Sequence, residues 1–165
     1  MSSFAFNDEA QTRRLGRALG ACLRAGDVVL LRGEMGAGKS VLTRAAARGM
    51  GIEGPVPSPT FTILNIHEGR EIKLYHFDLY RLEGVDALYE MGLEEYIPAR
   101  DGAAFIEWPE RAEEAMPEDA LTVTLTYEED GMARRVCLAP GGAFAQARID
   151  EIVKRMENDD EYTDD

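Results

Sequence analysis

The chain has 165 residues, 45% of them hydrophobic, and a formal net charge of −13. Its length predicts a single domain that buries roughly two thirds of its surface, and no run approaches the ~20 apolar residues of a membrane span. An N-terminus that carries acids and no apolar signal segment leads us to expect a cytosolic protein. The two cysteines lack the spacing of metal ligands or of a disulfide framework, and the negative charge argues against broad binding along a nucleic-acid backbone.

The first predicted elements are a short edge strand at Phe4–Phe6 and a helix that follows it. Asn7 is the expected N-cap, because Asp8 and Glu9 then fall in the first turn, where negative charge suits the helix dipole. Apolar residues repeat along one face of this helix before Gly26, namely Leu15, Ala18, Leu19, Cys22 and Leu23. This stripe predicts a helix that covers a sheet.

The segment Gly33–Ser40 has the pattern G-x-x-x-x-G-K-[ST], in which the backbone N–H groups of a glycine-rich loop surround the phosphates of a nucleotide. In this pattern Lys39 reaches the β- and γ-phosphates, and the Ser40 hydroxyl binds Mg²⁺. The apolar run Asp27–Leu31 precedes the motif, and apolar residues at helical spacing follow it up to Gly49. Strand, loop and helix in this order predict a P-loop rather than an ordinary glycine turn.

The residues of this segment that we expect at the nucleotide are Glu34, Met35, Gly36, Ala37, Gly38, Lys39, Ser40 and Val41. The motif and its flanks favour an α/β fold of the P-loop NTPase type, with three α/β/α layers, a mixed central sheet and antiparallel hairpins.

The segment Gly54–Thr60 contains three prolines and predicts a stiff, exposed loop, because each proline restricts the residue before it to extended conformations. In P-loop enzymes the segment after the first helix often carries a hydroxyl that senses the γ-phosphate and its Mg²⁺, a role open to Ser58 and to Thr60. A rigid connector is an equally good interpretation of the same residues.

The rest of the chain alternates between hairpins and short helices. The predicted elements are a partly exposed antiparallel hairpin of Phe61–Ile66 and Ile72–Tyr80, two short helices within Val85–Ile97, a buried strand at Ala103–Ile106, a short helix at Arg111–Ala115, a second hairpin of Leu121–Tyr127 and Arg134–Leu138, and an amphipathic helix marked by Ile149, Ile152, Val153 and Met156. Six acids and no bases follow in Glu157–Asp165, so we expect one P-loop NTPase domain at 1–156 and a disordered acidic tail at 157–165.

A P-loop also requires a carboxylate near Mg²⁺, usually at the end of a buried parallel strand beside the P-loop strand. Glu107 directly follows the buried run Ala103–Ile106, and we assign it to the metal. Asp78 ends a strand of the first hairpin, and we assign it to the positioning of water or to a supporting role behind the metal ligands. The alternatives are a surface acid at a strand end for Glu107 and a turn acid for Asp78.

Three neighbours of these acids have two interpretations each. His76 is better explained as a packed histidine than as a functional group. Trp108, the only tryptophan, either packs or reports on bound nucleotide by its fluorescence. Arg111 either stabilises transferring charge or is a solvated helix residue.

Four blocks of the chain together carry a family likeness, namely Gly33–Ser40, Ser58–Thr62, Tyr75–Leu82 and Ile106–Glu110. In this order they resemble the bacterial TsaE family, and the likeness extends from about residue 7 to about residue 140. The third and fourth blocks are far more specific than the P-loop.

The resemblance implies a Mg²⁺-dependent ATPase in the pathway that places threonylcarbamoyl on the adenosine beside the anticodon of tRNAs reading codons that begin with A. It implies that the chain acts with the TsaB–TsaD heterodimer, through which the tRNA is reached, and that ATP hydrolysis is weak without that complex. The roles carried over are phosphate binding for Lys39 and the loop amides, Mg²⁺ binding for Ser40 and Glu107, a switch-like loop for Ser58–Thr60, support of catalysis for Asp78, and closeness to the nucleotide for Thr12.

Two other classes of function are compatible with a P-loop. A small-molecule kinase would need an acceptor pocket and usually an arginine-bearing lid, and no arginine-rich lid segment is evident. A regulatory GTPase switch would read guanine with an [NT]-K-x-D motif, which occurs at none of the three lysines, Lys39, Lys73 and Lys154. Together with the resemblance, which implies an ATPase, this absence favours ATP as the nucleotide.

Overall fold

The computed structural model describes residues 1–142 and 144–159. Strands of this part of the chain are β1 (Ser2–Phe6), β2 (Val28–Arg32), β3 (Leu64–Glu68), β4 (Lys73–Asp78), β5 (Gly102–Glu107), β6 (Leu121–Tyr127) and β7 (Arg134–Ala139). Its α-helices are α1 (Glu9–Cys22), α2 (Lys39–Gly49), α3 (Val85–Glu90) and α4 (Gln146–Asn158). Two 3₁₀ segments lie at Leu93–Tyr96 and Pro109–Ala115.

The strands form one mixed sheet in the order β1-β7-β6-β2-β5-β4-β3. The four central strands β6, β2, β5 and β4 run parallel to one another, and antiparallel pairs β1–β7, β6–β7 and β3–β4 complete the two sides. The predicted mixed sheet and both predicted hairpins are confirmed. Because β2, β4 and β5 are parallel, their carboxyl ends meet at the same edge of the sheet, where ligands bind in open α/β folds.

Apolar residues alternate between the two faces of the sheet and build a core on each. Val29 and Leu31 of β2 join the core under α1, α2 and α4, whereas Val28 and Leu30 join the core under α3 and the 3₁₀ segments. The predicted three layers are therefore confirmed. None of the helices in the described part of the chain has the length and hydropathy of a membrane span.

Two local predictions are wrong. Asp8, not Asn7, is the N-cap of α1, because its carboxylate accepts the Gln11 N–H at 3.0 Å, while the Asn7 N–H donates to the Gln11 side chain. Strand β4 is not partly exposed: β3 and β5 pair with its two sides, and every residue from Leu74 to Asp78 is buried. The second correction matters for function, because it moves Asp78 from the rim of the sheet to its interior.

The C-terminal helix α4 is confirmed, with Ile149, Ile152 and Met156 buried against the core. It ends at Asn158, two residues beyond the predicted end of the domain. The prediction of a disordered tail concerns mainly residues 160–165, which lie outside the described residues.

Helices α1 and α2 approach so closely that glycine is required at their contact. A Cβ atom at Gly20 of α1 would overlap the carbonyl oxygen of Ala46 in α2, and one at Gly49 of α2 would overlap the carbonyl oxygen of Arg17 in α1. A clash with a rigid helix backbone cannot be relieved by a change of rotamer. The contact therefore sets the position of α2, and with it the P-loop that α2 follows.

We expect Gly20→Ala to destabilise the protein, although alanine favours an isolated helix by about 1 kcal/mol over glycine. Overpacking against backbone costs about 1–3 kcal/mol, so the melting temperature should fall by several degrees. Thermal unfolding followed by circular dichroism measures this. Gly142→Ala is the matched control, since its new Cβ would meet only the Asp119 Cβ at 3.9 Å. Equal melting temperatures for the two variants would contradict the close contact.

Candidate nucleotide-binding site

A cleft of about 540 Å³ lies at the carboxyl edge of the parallel strands, beside the start of α2. Most of the residues that the sequence placed at a nucleotide line it, namely Thr12, Met35, Gly36, Ala37, Gly38, Lys39, Ser40, Val41, Ser58, Thr60, Asp78 and Glu107. Two do not line the cleft. Glu34 is exposed at the start of the loop, and Arg111 is exposed with its guanidinium 5.3 Å from the ring of Tyr80.

The loop between β2 and α2 takes a shape that only glycine allows at two of its positions. Gly33 has φ 147°, and a Cβ atom there would overlap the carbonyl oxygen of Leu125 on the neighbouring strand β6. Gly38 has φ 109° and is the N-cap of α2, so no side chain caps the first amides of this helix. These unsatisfied N–H groups and the helix dipole favour an anion at the start of α2.

The Lys39 side chain is buried in the wall of this cleft. Its Nζ donates to the Gly33 carbonyl at 2.7 Å and lies 3.7 Å from the centre of the Trp108 ring. Burial lowers the pKa of the Lys39 ammonium below its ordinary value, and the carboxylates of Glu107, Glu110 and Asp78 oppose this shift. Within the described residues no carboxylate forms an ion pair with Nζ, which leaves the ammonium charge available to an anionic ligand.

Two carboxylates lie side by side at the ends of adjacent parallel strands. Asp78 of β4 is the register partner of Glu107 of β5, and the two residues are only 6% and 4% exposed. This pairing exists because β4 is a central strand, the feature that the hairpin prediction missed. Buried carboxylates require hydrogen-bond partners, and each of these has its own set.

A histidine of the neighbouring strand β4 positions the Glu107 carboxylate. Its Oε2 lies 2.8 Å from Nε2 of His76, two residues before Asp78 on β4, and both side chains are almost fully buried. This histidine is packed, as predicted, but it also orients the carboxylate. The Nδ1 atom of His76 has no hydrogen-bond partner among the described residues.

The proline-rich loop Gly54–Thr60 contributes a hydrogen bond that positions the Asp78 carboxylate. Its Oδ2 accepts from the Thr60 hydroxyl at 3.1 Å, its Oδ1 accepts from the Tyr80 N–H at 3.0 Å, and the Ser58 and Thr60 hydroxyls are 2.9 Å apart. The loop is therefore tied to a carboxylate of the cleft through Thr60. A change in the conformation of the loop would therefore alter the position of the Asp78 carboxylate, which favours the switch interpretation over that of a rigid connector.

Sequence reasoning singled out one residue of the cleft wall, Trp108, and missed others. Trp108 has φ 58°, an uncommon value for tryptophan, and this turn directs its ring under Lys39. Its place directly after Glu107 was the available signal. Phe6, Met132 and Arg134 also line the cleft, and no local pattern marks them, because strand pairing brings β1, β7 and the turn between β6 and β7 to the cleft.

A glycine loop between a buried strand and a helix, facing two carboxylates at the ends of parallel strands, defines the chain as a protein of the P-loop NTPase-like fold class. The family model "Threonylcarbamoyl adenosine biosynthesis protein TsaE" matches residues 6–136. The chain therefore belongs to the TsaE family, whose members take part in tRNA threonylcarbamoyladenosine biosynthesis.

Individual relatives agree with this family. The tRNA threonylcarbamoyladenosine biosynthesis protein TsaE of a Nostoc species is 41% identical over 134 residues, which cover 79% of this chain and 82% of that protein. The protein of the same name from Bacillus subtilis is 36% identical over 134 residues, covering 81% and 83%. The crystal structure of Bacillus subtilis YdiB superposes with a TM-score of 0.79 at 27% identity, covering 93% of this chain and 94% of that one.

Proposed function

We propose that the chain is a Mg²⁺-dependent ATPase that supports threonylcarbamoylation of the adenosine beside the anticodon of tRNA. The observation that carries this proposal is the arrangement of Lys39, unpaired with any described carboxylate, opposite the buried pair of Asp78 and Glu107. Positive charge for phosphates and carboxylates for a hydrated metal then share one cleft. The tRNA-modification family supplies the cellular context, and we place the activity in the cytoplasm.

The residues present fit Mg²⁺ carried by a nucleotide. In the described part of the chain no three His, Cys, Asp or Glu side chains form a cluster that would hold a metal ion alone. Mg²⁺ commonly uses one or two protein oxygens together with waters and substrate phosphates. Ser40 and Glu107 line the cleft and would supply those oxygens. When bound, the ion neutralises charge on the β- and γ-phosphates.

The chain's own groups would then divide the work of hydrolysis. Lys39 and the free amides at the start of α2 hold and neutralise phosphate oxygens. Asp78, positioned by Thr60 and the Tyr80 N–H, accepts a hydrogen bond from the attacking water and orients it. Glu107, positioned by His76, keeps its carboxylate toward the metal. Trp108 excludes water from one side of the Lys39 ammonium.

We further propose that this hydrolysis depends on the TsaB–TsaD heterodimer. Two exposed methionines line the open cleft, Met35 and the 80% exposed Met132, and Phe61, which follows the cleft residue Thr60 in the chain, is 82% exposed. Exposed apolar groups around a polar cleft are typical of a surface that a protein partner covers. We expect ATP hydrolysis to rise at least tenfold when TsaB–TsaD is added, as measured by phosphate release. No rise at saturating complex would contradict the partnership.

The cellular role has a direct test. Depletion of the protein should lower threonylcarbamoyladenosine in bulk tRNA, as measured by nucleoside mass spectrometry, and expression of the wild-type chain should restore it. Expression of the Lys39→Met variant should not. Undiminished threonylcarbamoyladenosine after depletion would overturn the proposed function.

A further inference from the structure

Beside the nucleotide cleft lies a basic surface on a protein that is otherwise acidic. Two adjoining clefts of about 440 and 410 Å³ share the side chains of Arg17, Arg48 and Arg70. Together the two clefts are lined by six arginines and no lysine, namely Arg13, Arg17, Arg44, Arg48, Arg70 and Arg155, which we call the arginine face. The acids that line them are fewer: Glu9, Glu53 and Asp159.

The close contact of α1 and α2 creates this face. Arg13 and Arg17 are four residues apart on α1, and Arg44 and Arg48 are four residues apart on α2, so each helix presents two arginines on one side. The glycines between the helices bring the two pairs together. Arg70 joins them from the turn between β3 and β4. The backbone N–H of Arg70 donates to the Met50 carbonyl at 2.9 Å and fixes this turn beside α2.

The arginines of this face differ in the contacts that they make among the described residues. Arg13 pairs with Glu9 at 3.0 Å, and Arg48 donates to the Ile52 carbonyl at 2.8 Å. Arg44, Arg70 and Arg155 are exposed, and none of them has an ion-pair partner among the described residues. Like charges held together repel one another, and in a chain of net charge −13 acids for local pairing are abundant. Glu9, Glu53 and Asp159 are the acids among the described residues that line this face, and the resulting local excess of positive charge favours an anionic partner.

We propose that the arginine face binds the phosphate backbone of RNA. The guanidinium group presents a planar fork of N–H donors that binds phosphate oxygens in pairs, and an extended row of such groups matches a polymer of phosphates better than one small anion. The family acts in tRNA modification, which makes tRNA the RNA to test. Because the face is confined to one side of an acidic protein, it binds RNA in one orientation, in agreement with the absence of broad nucleic-acid binding expected from the net charge.

The arginine face is distinct from the site of the proposed ATPase. Glu9 and Val41 line both the nucleotide cleft and the first basic cleft, whereas none of the six arginines lines the nucleotide cleft. RNA bound at this face would therefore lie next to the nucleotide without occupying its place.

The test is binding of fluorescently labelled tRNA, followed by anisotropy at low salt without nucleotide or other proteins. Arg44→Gln combined with Arg70→Gln should weaken binding by about tenfold and reduce the slope of log affinity against log salt by about two. Neither arginine belongs to the proposed catalytic machinery, so the melting temperature and the basal ATPase rate should not change. The control Arg24→Gln with Arg100→Gln removes the same charge from exposed positions outside both clefts and should bind like wild type.

Three outcomes would overturn the proposal. One is an absence of tRNA binding at low salt, and another is an equal loss of affinity in both double variants, which would reflect net charge alone. The third is displacement of labelled tRNA by poly-glutamate at a lower concentration of negative charge than by unlabelled tRNA, which would identify an acidic protein as the partner. The Lys39→Met variant should bind tRNA normally, so a failure of the proposed ATPase and a failure of this inference are distinguishable.

Discussion

Replacing Lys39 with methionine is expected to weaken nucleotide binding strongly while leaving the fold intact. A hydrogen bond to a charged group is worth about 1.5–3 kcal/mol, so ATP affinity should fall by at least tenfold, and hydrolysis by about a hundredfold or more. Stability should change by no more than about 1 kcal/mol. The lost hydrogen bond to Gly33 is offset because a buried ammonium no longer has to be desolvated, the same effect that lowers its pKa.

Two measurements separate these effects. Isothermal titration with ATP and Mg²⁺ reports affinity, and thermal unfolding reports stability. Lys154→Met, the same substitution at an exposed position on α4, is the control and should leave both unchanged. Retained ATP binding by Lys39→Met would refute the phosphate site. A fall of the melting temperature by more than a few degrees would show that Lys39 also holds the loop together.

The second large effect distinguishes the two buried carboxylates. Glu107→Gln should remove most of the dependence of ATP affinity on Mg²⁺ and lower hydrolysis by about a hundredfold or more, because a neutral amide is a poor ligand for a hard cation. Asp78→Asn should keep that dependence and lower the rate of hydrolysis by about a hundredfold, because a neutral amide is a weaker acceptor than a carboxylate and orients the attacking water poorly. The amide oxygen can still accept from the Tyr80 N–H while the amide NH2 donates to the Thr60 hydroxyl, so the loop should stay in place.

The experiment compares ATP affinity with Mg²⁺ and with a chelator, together with single-turnover hydrolysis, in both variants. Glu114→Gln, at an exposed position in the 3₁₀ segment after β5, removes the same charge and should resemble wild type. The reverse pattern, in which Asp78→Asn loses the Mg²⁺ dependence and Glu107→Gln keeps it, would exchange the two assignments. Wild-type hydrolysis in both variants would exclude the acid pair from catalysis.

Much of the site followed from local patterns. The P-loop motif assigned Lys39 and Ser40 to one site, and both line the cleft, because strand, loop and helix are consecutive in the chain and their geometry depends on near neighbours. Glu107 was identifiable for the same reason, as the acid that ends an apolar run. Asp78 was noticed as a strand end, but its burial was not, because the residues of β4 do not indicate that β5 pairs with its second side.

Local sequence patterns could not identify the residues that the fold brings to the site from distant segments of the chain. Arg111 had two interpretations, a group that stabilises transferring charge at the nucleotide or a solvated helix residue. It is exposed and lies outside the cleft, and Arg134 lines the cleft instead. The arginine face joins residues of α1, α2, α4 and the β3–β4 turn. The net charge of −13 concealed it, because a sum over the chain carries no information on where charges gather.

The amino-acid order was thus sufficient for the class of fold, the phosphate-binding loop and the family, since each depends on short segments whose backbone preferences and spacing act locally. The pairing of Asp78 with Glu107, the Trp108 ring under Lys39 and the arginine face depend on which strands and helices become neighbours. That choice is made by burial of apolar surface across the whole chain and, between α1 and α2, by glycines that let two backbones touch. The chemistry of the P-loop is therefore local, whereas its surroundings are a product of packing.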